Sequence, residues 1–151
     1  MNQIIKAVNE PIKSYKSGSS ERISLQAKYD EMAGQTIEIP LIIGGQEIKT
    51  GNTGTCVMPH DHGHILATYH KGGKKEVKLA VNSAMDRWRS WSRTSLDERA
   101  AIFRKAAELL QGPWRDTINA ATMLNQSKNA FQAEIDSACE LIDFFNFNAQ
   151  Y

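Results

Sequence analysis

The chain has 151 residues, of which 41% are hydrophobic and 23% charged, enough for a globular domain with its own core. This composition excludes the disordered and collagen-like classes. Lys and Arg total 18 against 17 Asp and Glu, and the formal net charge of +1 gives no electrostatic attraction to nucleic acid or to an anionic membrane. No apolar run reaches the roughly 20 residues of a membrane helix, and the opening residues resemble neither a signal nor a transit peptide. We therefore expect a soluble, cytoplasmic protein.

The first part of the chain predicts an arm followed by a helix. Residues 1–18 predict an extended arm, because Pro11 and Gly18 interrupt any regular pattern. Ser19-Ser20 predicts the cap of a polar helix that ends near Met32.

A β-hairpin is predicted next. Residues 37–43 are rich in branched side chains, and Gly44-Gly45 separates them from a second short strand at 46–49. Pro40 places the first strand at a sheet edge, because proline lacks the N–H of an inner strand. With the strands that follow, this hairpin predicts a small antiparallel sheet.

The next strand pair contains a candidate metal site. Strands are predicted over 53–58 and 65–70, joined by a turn over 59–64 that contains His60, Asp61, His62 and His64. These are good ligands, but side chains in a turn splay apart, and zinc sites usually recruit a ligand from a distant element, for which only His70 suggests itself. Surface histidines are the favoured interpretation, and a metal-binding module stays open as a hypothesis.

The second half of the chain predicts four helices. They begin after Gly72-Gly73, at the capping box of Ser95 and Glu98, at Pro113 and at the predicted cap Ser127, and Gly112 ends the second. Tryptophans next to arginines could stack on nucleic acid, but their helical spacing favours a core stripe. The predicted inward positions are Val77, Ala80, Val81, Ala84, Trp88, Trp91, Ala100, Phe103, Ala107, Leu110, Ile118, Ala121 and Leu124.

The last helix is apolar around most of its circumference and carries Glu140 on the same face as Phe144 and Phe147. Two interpretations of Glu140 are open: a carboxylate that faces water or pairs with an Arg, and a carboxyl that borders a site. Cys139 has apolar neighbours on this helix and is interpreted as a buried small side chain, and Cys56 has no evident activating partner.

No complete cofactor site is visible in the sequence. There is no Walker loop, no serine nucleophile elbow and no zinc-binding HExxH helix, and neither glycine pair has the spacing of a dinucleotide fingerprint.

Five segments resemble, in order, the amino-terminal part of the L-glutamate gamma-semialdehyde dehydrogenases, also called 1-pyrroline-5-carboxylate dehydrogenases, a branch of the aldehyde dehydrogenases. They are residues 8–11, 41–48, 59–64, 97–107 and 132–151. The run at 132–145 is specific to this branch, whereas the Glu-Arg-Ala helix at 98–100 is common to the superfamily.

The resemblance implies the fold and the chemistry. Residues 1–151 would form the first portion of a Rossmann-like NAD-binding domain of mixed α/β class, with small antiparallel hairpins followed by four helices. The parent enzyme would oxidise L-glutamate 5-semialdehyde to glutamate with NAD in proline breakdown, through a cysteine nucleophile and a glutamate that activates water. Both residues lie in the family beyond this chain, so the catalytic domain would be absent and the fragment inactive.

The resemblance also implies one site residue and two kinds of partner. Glu140 matches the family glutamate that borders the aldehyde pocket, which makes it a substrate-binding candidate. The rest of its own chain and further copies in a homo-oligomer are the expected partners, and the phenylalanine-rich last helix would drive self-association of an isolated fragment. The alternative function is a truncated, non-catalytic interaction module that binds a partner through this helix.

Overall fold

The structure is a computed structural model that describes residues 6–151, so residues 1–5 of the predicted arm lie outside the described part. It divides into two compact units: the residues up to Gly34 together with Leu96–Tyr151, and Gln35–Ser95. The mixed α/β class is confirmed. The elements in chain order are α1 (Ser20–Ala33), β1 (Ile37–Ile39), β2 (Leu41–Ile43), β3 (Gln46–Ile48), β4 (Thr53–Met58), β5 (Asp61–His70), α2 (Lys74–Trp91), α3 (Leu96–Gln111), α4 (Arg115–Gln126), α5 (Ala130–Ala133), a π-helical turn (Glu134–Cys139) and α6 (Glu140–Gln150).

The helical unit has its predicted elements. Ser19 caps α1 by accepting a hydrogen bond from the Arg22 amide, as the sequence predicted. One core cluster joins the arm to α1 and α4, and the other joins α3 to the last helix. Their buried members are Tyr15, Leu25 and Ala120 in the first and Ala107, Ala138 and Ile142 in the second.

Two predictions in this unit are wrong. Ser127 does not begin the last helix: it ends α4 in the left-handed conformation, at φ 55°. Asn129 is the cap instead, and it exchanges hydrogen bonds with Gln132 in a capping box. Phe103 was expected to be buried but is 44% exposed, although its ring still lies 5.9 Å from that of Phe145.

The sheet unit differs from the predicted antiparallel sheet. The run 37–43 is not one strand, because Pro40 divides it into β1 and β2. Strand β2 forms the predicted hairpin with β3, whereas β1 pairs in parallel with β5 at the edge of a three-stranded sheet of order β1-β5-β4. The turn between β4 and β5 is also shorter than predicted, since β5 already begins at Asp61 and pairs there with Met58.

The buried face predicted for α2 is wrong in this chain. The helix begins after Gly72-Gly73 as predicted, but none of its residues is buried. Val77, Val81, Trp88 and Trp91 are all at least 45% exposed, so the core interpretation of these tryptophans is wrong here too, and Trp114 is 55% exposed. Helical periodicity identified the apolar stripe but not what covers it. None of the described helices is long and apolar enough to cross a membrane.

Candidate functional site

The centre of the helical unit is a buried carboxylate that the sequence analysis did not single out. Glu134 is fully buried at the start of the π-helical turn. Its Oε1 accepts a hydrogen bond from the Lys13 amide at 2.8 Å, and its Oε2 accepts one from the Tyr15 hydroxyl at 2.8 Å. From α4, the Asn119 amide donates to Oε2 at 2.8 Å. The arm and α4 therefore meet at one carboxylate.

Arg115 neutralises this carboxylate with a two-pronged contact. Its Nη2 donates to Oε1 of Glu134 at 2.5 Å and its Nε donates to Oε2 at 3.3 Å. The same guanidinium donates to the Glu10 carboxylate and to the Pro11 carbonyl, and Arg115 is only 2% exposed. Such a paired and hydrogen-bonded charge is tolerated in the interior, whereas an isolated one is not.

The electrostatics of the cluster follow from this pairing. Burial alone would raise the pKa of Glu134, but hydrogen bonds from Arg115, the Lys13 amide, Tyr15 and Asn119 outweigh it and lower the pKa to about 2. The carboxylate is therefore ionised at neutral pH. Burial and the hydrogen bond to Glu134 raise the pKa of the Tyr15 phenol, so Tyr15 stays a donor.

Tyr15 adopts an uncommon backbone conformation at this cluster. Its φ of 49° lies in the left-handed region, which bulky side chains rarely enter and which costs about 1–3 kcal/mol. The side chain is 6% exposed, and its hydroxyl also accepts a hydrogen bond from Asn119 at 3.0 Å. These buried contacts hold the strained residue in place.

Cys139 is buried, as predicted, but its surroundings are not apolar. The thiol lies 3.5 Å from Arg115 Nη2 and 3.7 Å from Glu134 Oε1. Burial first, and then the Glu134 charge, raise the pKa of the thiol to about 11. The protonated thiol favoured at neutral pH is a poor nucleophile, which agrees with the structural role predicted for it.

Glu140 follows directly after the π-helical turn. Its amide N–H donates to the Ile135 carbonyl five residues back, one residue more than in an α-helix. The predicted common face of Glu140 and Phe144 is present, and both line a shallow pocket of about 230 Å³ against α4. The other residues that line it are Ile118, Thr122, Asp136, Ser137 and Leu141.

The Glu140 side chain is exposed, so it is not the desolvated carboxyl that one interpretation required. Within the described residues it has no hydrogen-bond or ion-pair partner, whereas the neighbouring Asp136 pairs with Lys128 at 2.6 Å. Thr122 and Ser137 add hydroxyl groups, which are hydrogen-bonded to each other at 2.6 Å. The pocket therefore offers one unpaired carboxylate and two hydroxyls, a set that suits a small ligand with N–H or O–H donors.

The histidines of the described residues belong to no metal-binding group. Among residues 6–151 no group of three or more His, Cys, Asp or Glu side chains is arranged to hold a metal ion. Strand β5 carries His62 and His64 in place of the predicted turn. His70 is buried, and both of its ring nitrogens are hydrogen-bonded. Its Nδ1 accepts a hydrogen bond from the Gly51 amide at 3.2 Å, which leaves Nε2–H to donate to the Glu38 carboxylate at 2.9 Å.

A partial signal for this site is present in the sequence. Glu134 and Glu140 both interrupt an apolar helix, but only Glu140 was matched to a family pattern. Apart from Cys139, the partners of Glu134 lie 15 to 121 positions away, and helical periodicity contains no information on such contacts. The one available clue was that Glu134 is a charged residue within an apolar helix. To recognise its role, one would have had to pair it with Arg115, the first residue of α4.

Comparison with known proteins identifies the class of this fold. The sequence profile of the aldehyde dehydrogenase family matches residues 47–151, well over half of the chain. The chain therefore belongs to the aldehyde dehydrogenase family, which confirms the resemblance found in its motifs.

The similar proteins share one enzyme name. Over 144 residues the chain is 48% identical to a delta-1-pyrroline-5-carboxylate dehydrogenase of Agaricus bisporus, covering 95% of this chain and 26% of the relative. It is 40% identical over 147 residues to the mitochondrial enzyme of that name from Homo sapiens, with 97% and 26% covered. The chain spans about a quarter of the length of these curated relatives.

A solved structure agrees with the sequence matches. The delta-pyrroline-5-carboxylate dehydrogenase from Mycobacterium tuberculosis bound with NAD superposes with a TM-score of 0.95 at 42% identity. The alignment covers 99% of this chain and 28% of that structure. The small strands and helices described above are thus those of an aldehyde dehydrogenase.

The start of α2 does not fit the phosphates of a dinucleotide. Gly72-Gly73 connects the end of β5 to the start of α2. A phosphate bound there would need free backbone N–H groups at the start of the helix. Here the Glu76 carboxylate accepts from the Gly73 amide at 2.8 Å and puts a negative charge at that helix end. A phosphate at this position would be repelled by the Glu76 carboxylate and would find the Gly73 amide already hydrogen-bonded.

Proposed function

We propose that this chain is the amino-terminal portion of the NAD-binding domain of an enzyme that oxidises L-glutamate 5-semialdehyde, in equilibrium with 1-pyrroline-5-carboxylate, to L-glutamate. The observation that carries the proposal is the similarity over 95% of the chain to a relative with that enzyme name. In a longer protein, NAD would accept the hydride, and the nucleophilic cysteine and the water-activating glutamate would come from residues outside this chain.

Glu140 is the substrate-binding residue in this proposal. Its carboxylate is exposed, unpaired among the described residues and next to the hydroxyls of the pocket. It could accept a hydrogen bond from the substrate ammonium group, or it could hold water near the reacting carbon. Both roles require the carboxylate to reach the ligand without first breaking an ion pair.

Substitution of Glu140 tests this role. In the full-length protein, Glu140→Gln keeps the shape but removes the charge, and we expect KM to rise or kcat to fall by on the order of tenfold or more. The measurement is NAD reduction with L-glutamate 5-semialdehyde. Glu108→Gln is the matched control, because Glu108 is exposed and, among the described residues, pairs only with Lys105 one helical turn away. Unchanged kinetics of Glu140→Gln would remove this residue from the site.

The 151-residue chain on its own is expected to be inactive and to bind NAD weakly. The first measurement is the mass of the native protein in cell extract. A species several times heavier than 16.9 kDa supports the dehydrogenase, and a stable species at 16.9 kDa favours the non-catalytic interaction module.

Location and assembly belong to the same proposal. We expect a cytoplasmic homo-oligomer, although the human relative is named a mitochondrial enzyme. Cell fractionation and size-exclusion chromatography of the native protein test both expectations.

A further inference from the structure

We propose that Glu134 and Arg115 are positioning residues for Glu140: their buried ion pair holds the π-helical turn whose extra residue sets the direction in which Glu140 points. The inference rests on the proposed substrate role of Glu140. It adds a buried site, remote from the pocket surface, on which that role depends.

The first step is the position of the turn. The π-helical segment begins at Glu134 and ends at Cys139, directly before Glu140. An inserted residue rotates everything after it by about 100° relative to an uninterrupted α-helix. If the turn relaxed to α-helix, Glu140 would leave its present place beside Thr122 of α4.

The second step is that the turn is held along its whole length. At its start, Glu134 is bound by Arg115, Asn119 and the arm. In its middle, the Ser137 hydroxyl donates to Thr122 at 2.6 Å. At its end, the Cys139 thiol lies 3.5 Å from Arg115. One guanidinium therefore contacts both the first and the last residue of the turn.

The third step is the nature of the contacts. Apolar side chains of similar volume would fill the core as well as a buried ion pair does, and often better. A bidentate Arg–carboxylate pair differs in that it accepts only one relative geometry. This pair can therefore fix the register of the turn, which apolar packing would do less well. The strained Tyr15 and the π-helical turn both contact the Glu134 carboxylate. Strained conformations persist only where surrounding contacts hold them, so this carboxylate holds both in one conformation.

A double-mutant cycle in the full-length protein tests the inference. The variants are Glu134→Gln, Glu140→Gln and the two combined, with Glu108→Gln as the control. We expect Glu134→Gln to raise KM for L-glutamate 5-semialdehyde on the order of 10- to 100-fold, because small misplacements of a binding group have effects of this size. In the Glu140→Gln background the same change should add less than about twofold.

A purely structural role gives a different pattern. Glu134→Gln would then lower kcat by the same factor in both backgrounds, through loss of folded protein, and this outcome overturns the inference. An unchanged KM overturns it as well. If Glu134→Gln does not fold, Tyr15→Phe replaces it in the same cycle, since this change removes only the hydroxyl that binds Glu134 and Asn119, and Tyr15 does not line the pocket beside Glu140.

A readout without activity separates this inference from the proposed function. Amide hydrogen exchange is followed over residues 134–142 of the full-length protein in Glu134→Gln and in Glu108→Gln. Faster exchange confined to this segment in Glu134→Gln supports the inference, and exchange equal to that of the control overturns it. If the unmodified protein does not oxidise the aldehyde, the proposed function fails, and the exchange result still decides whether the ion pair holds the turn.

Discussion

Arg115 is the residue whose loss should destabilise the helical unit most. Arg115→Met removes the partner of a carboxylate that stays buried, and breaking such a pair costs about 3–5 kcal/mol in the free energy of unfolding. Urea denaturation measures the loss. Lys105→Met is the matched control, because Lys105 pairs with Glu108 at the surface and such pairs contribute at most about 1 kcal/mol.

A second variant separates the buried charge from the packing. In Arg115→Met combined with Glu134→Leu, the fully buried charge of Glu134 is removed and Glu10 keeps its hydrogen bond from Gln111, so we expect part of the lost stability to return. If the double variant is as unstable as the sum of its parts, the unpaired charge is not the cause.

The depressed pKa of Glu134 predicts how stability depends on pH. A carboxyl with a pKa of about 2 in the folded state and 4.5 as its ordinary value contributes its full stabilisation above pH 4.5. That contribution, on the order of 3 kcal/mol, is lost as the pH falls from about 4.5 to about 2. The measurement is Tm against pH for the unmodified protein and for Glu134→Gln. The difference in Tm between the two proteins should become smaller below pH 4.5. A difference in Tm that stays constant with pH would contradict the depressed pKa of Glu134.

At the scale of single elements, the cap of the last helix sets where the segment before the π-helical turn begins. Asn129→Ala removes the side-chain acceptor of the Gln132 amide and should lower the free energy of unfolding by about 1 kcal/mol. Asn129→Asp keeps the acceptor and is the control. Equal losses in the two variants would mean that the capping bond contributes nothing measurable.

Which elements the sequence predicts depends on how local their cause is. The Ser19 cap, the Gly44-Gly45 hairpin and the end of α3 before Gly112 rest on neighbours within a few positions, and these predictions were confirmed. The parallel pairing of Ile37 with Ala67 and the contact of Tyr15 with Glu134 join distant segments, and no local pattern contains them. The choice of Ser127 over Asn129 failed because both residue types cap helices, and only the backbone shows that Ser127 is left-handed.

The same distinction applies to the candidate site. Glu140 was found through a family motif, and its unpaired carboxylate could be located only in the structure. Glu134 was missed because its significance lies in Arg115, Asn119 and the arm. The π-helical turn between Glu134 and Glu140 could not be predicted, because the spacing of the apolar residues does not reveal its extra residue.

At the scale of the whole molecule, the exposed apolar residues of α2 predict self-association of the purified 151-residue chain. Val81, Met85 and Trp88 are each at least 55% exposed and repeat at helical spacing, and contiguous apolar patches are rarely left bare. Val81→Lys combined with Trp88→Lys should shift the chain towards the monomer, because the charges oppose burial of the stripe. Analytical ultracentrifugation measures the change.

The control for this experiment is on the same helix. Asn82→Lys adds a positive charge about 100° away from Val81 and should leave association unchanged. If both substitutions act alike, net charge rather than the apolar stripe governs the association.

The arm that binds Glu134 also has a consequence for the order of events during synthesis. Tyr15 and Glu134 are separated by 119 positions, and a ribosome adds roughly 5–20 residues per second. After Tyr15 is made, roughly 6 to 24 s pass before its carboxylate partner is even polymerised. The arm leaves the ribosome before α4 and the start of the last helix, yet it can dock only after both are complete. A chaperone that holds extended segments would therefore have its longest opportunity at the arm.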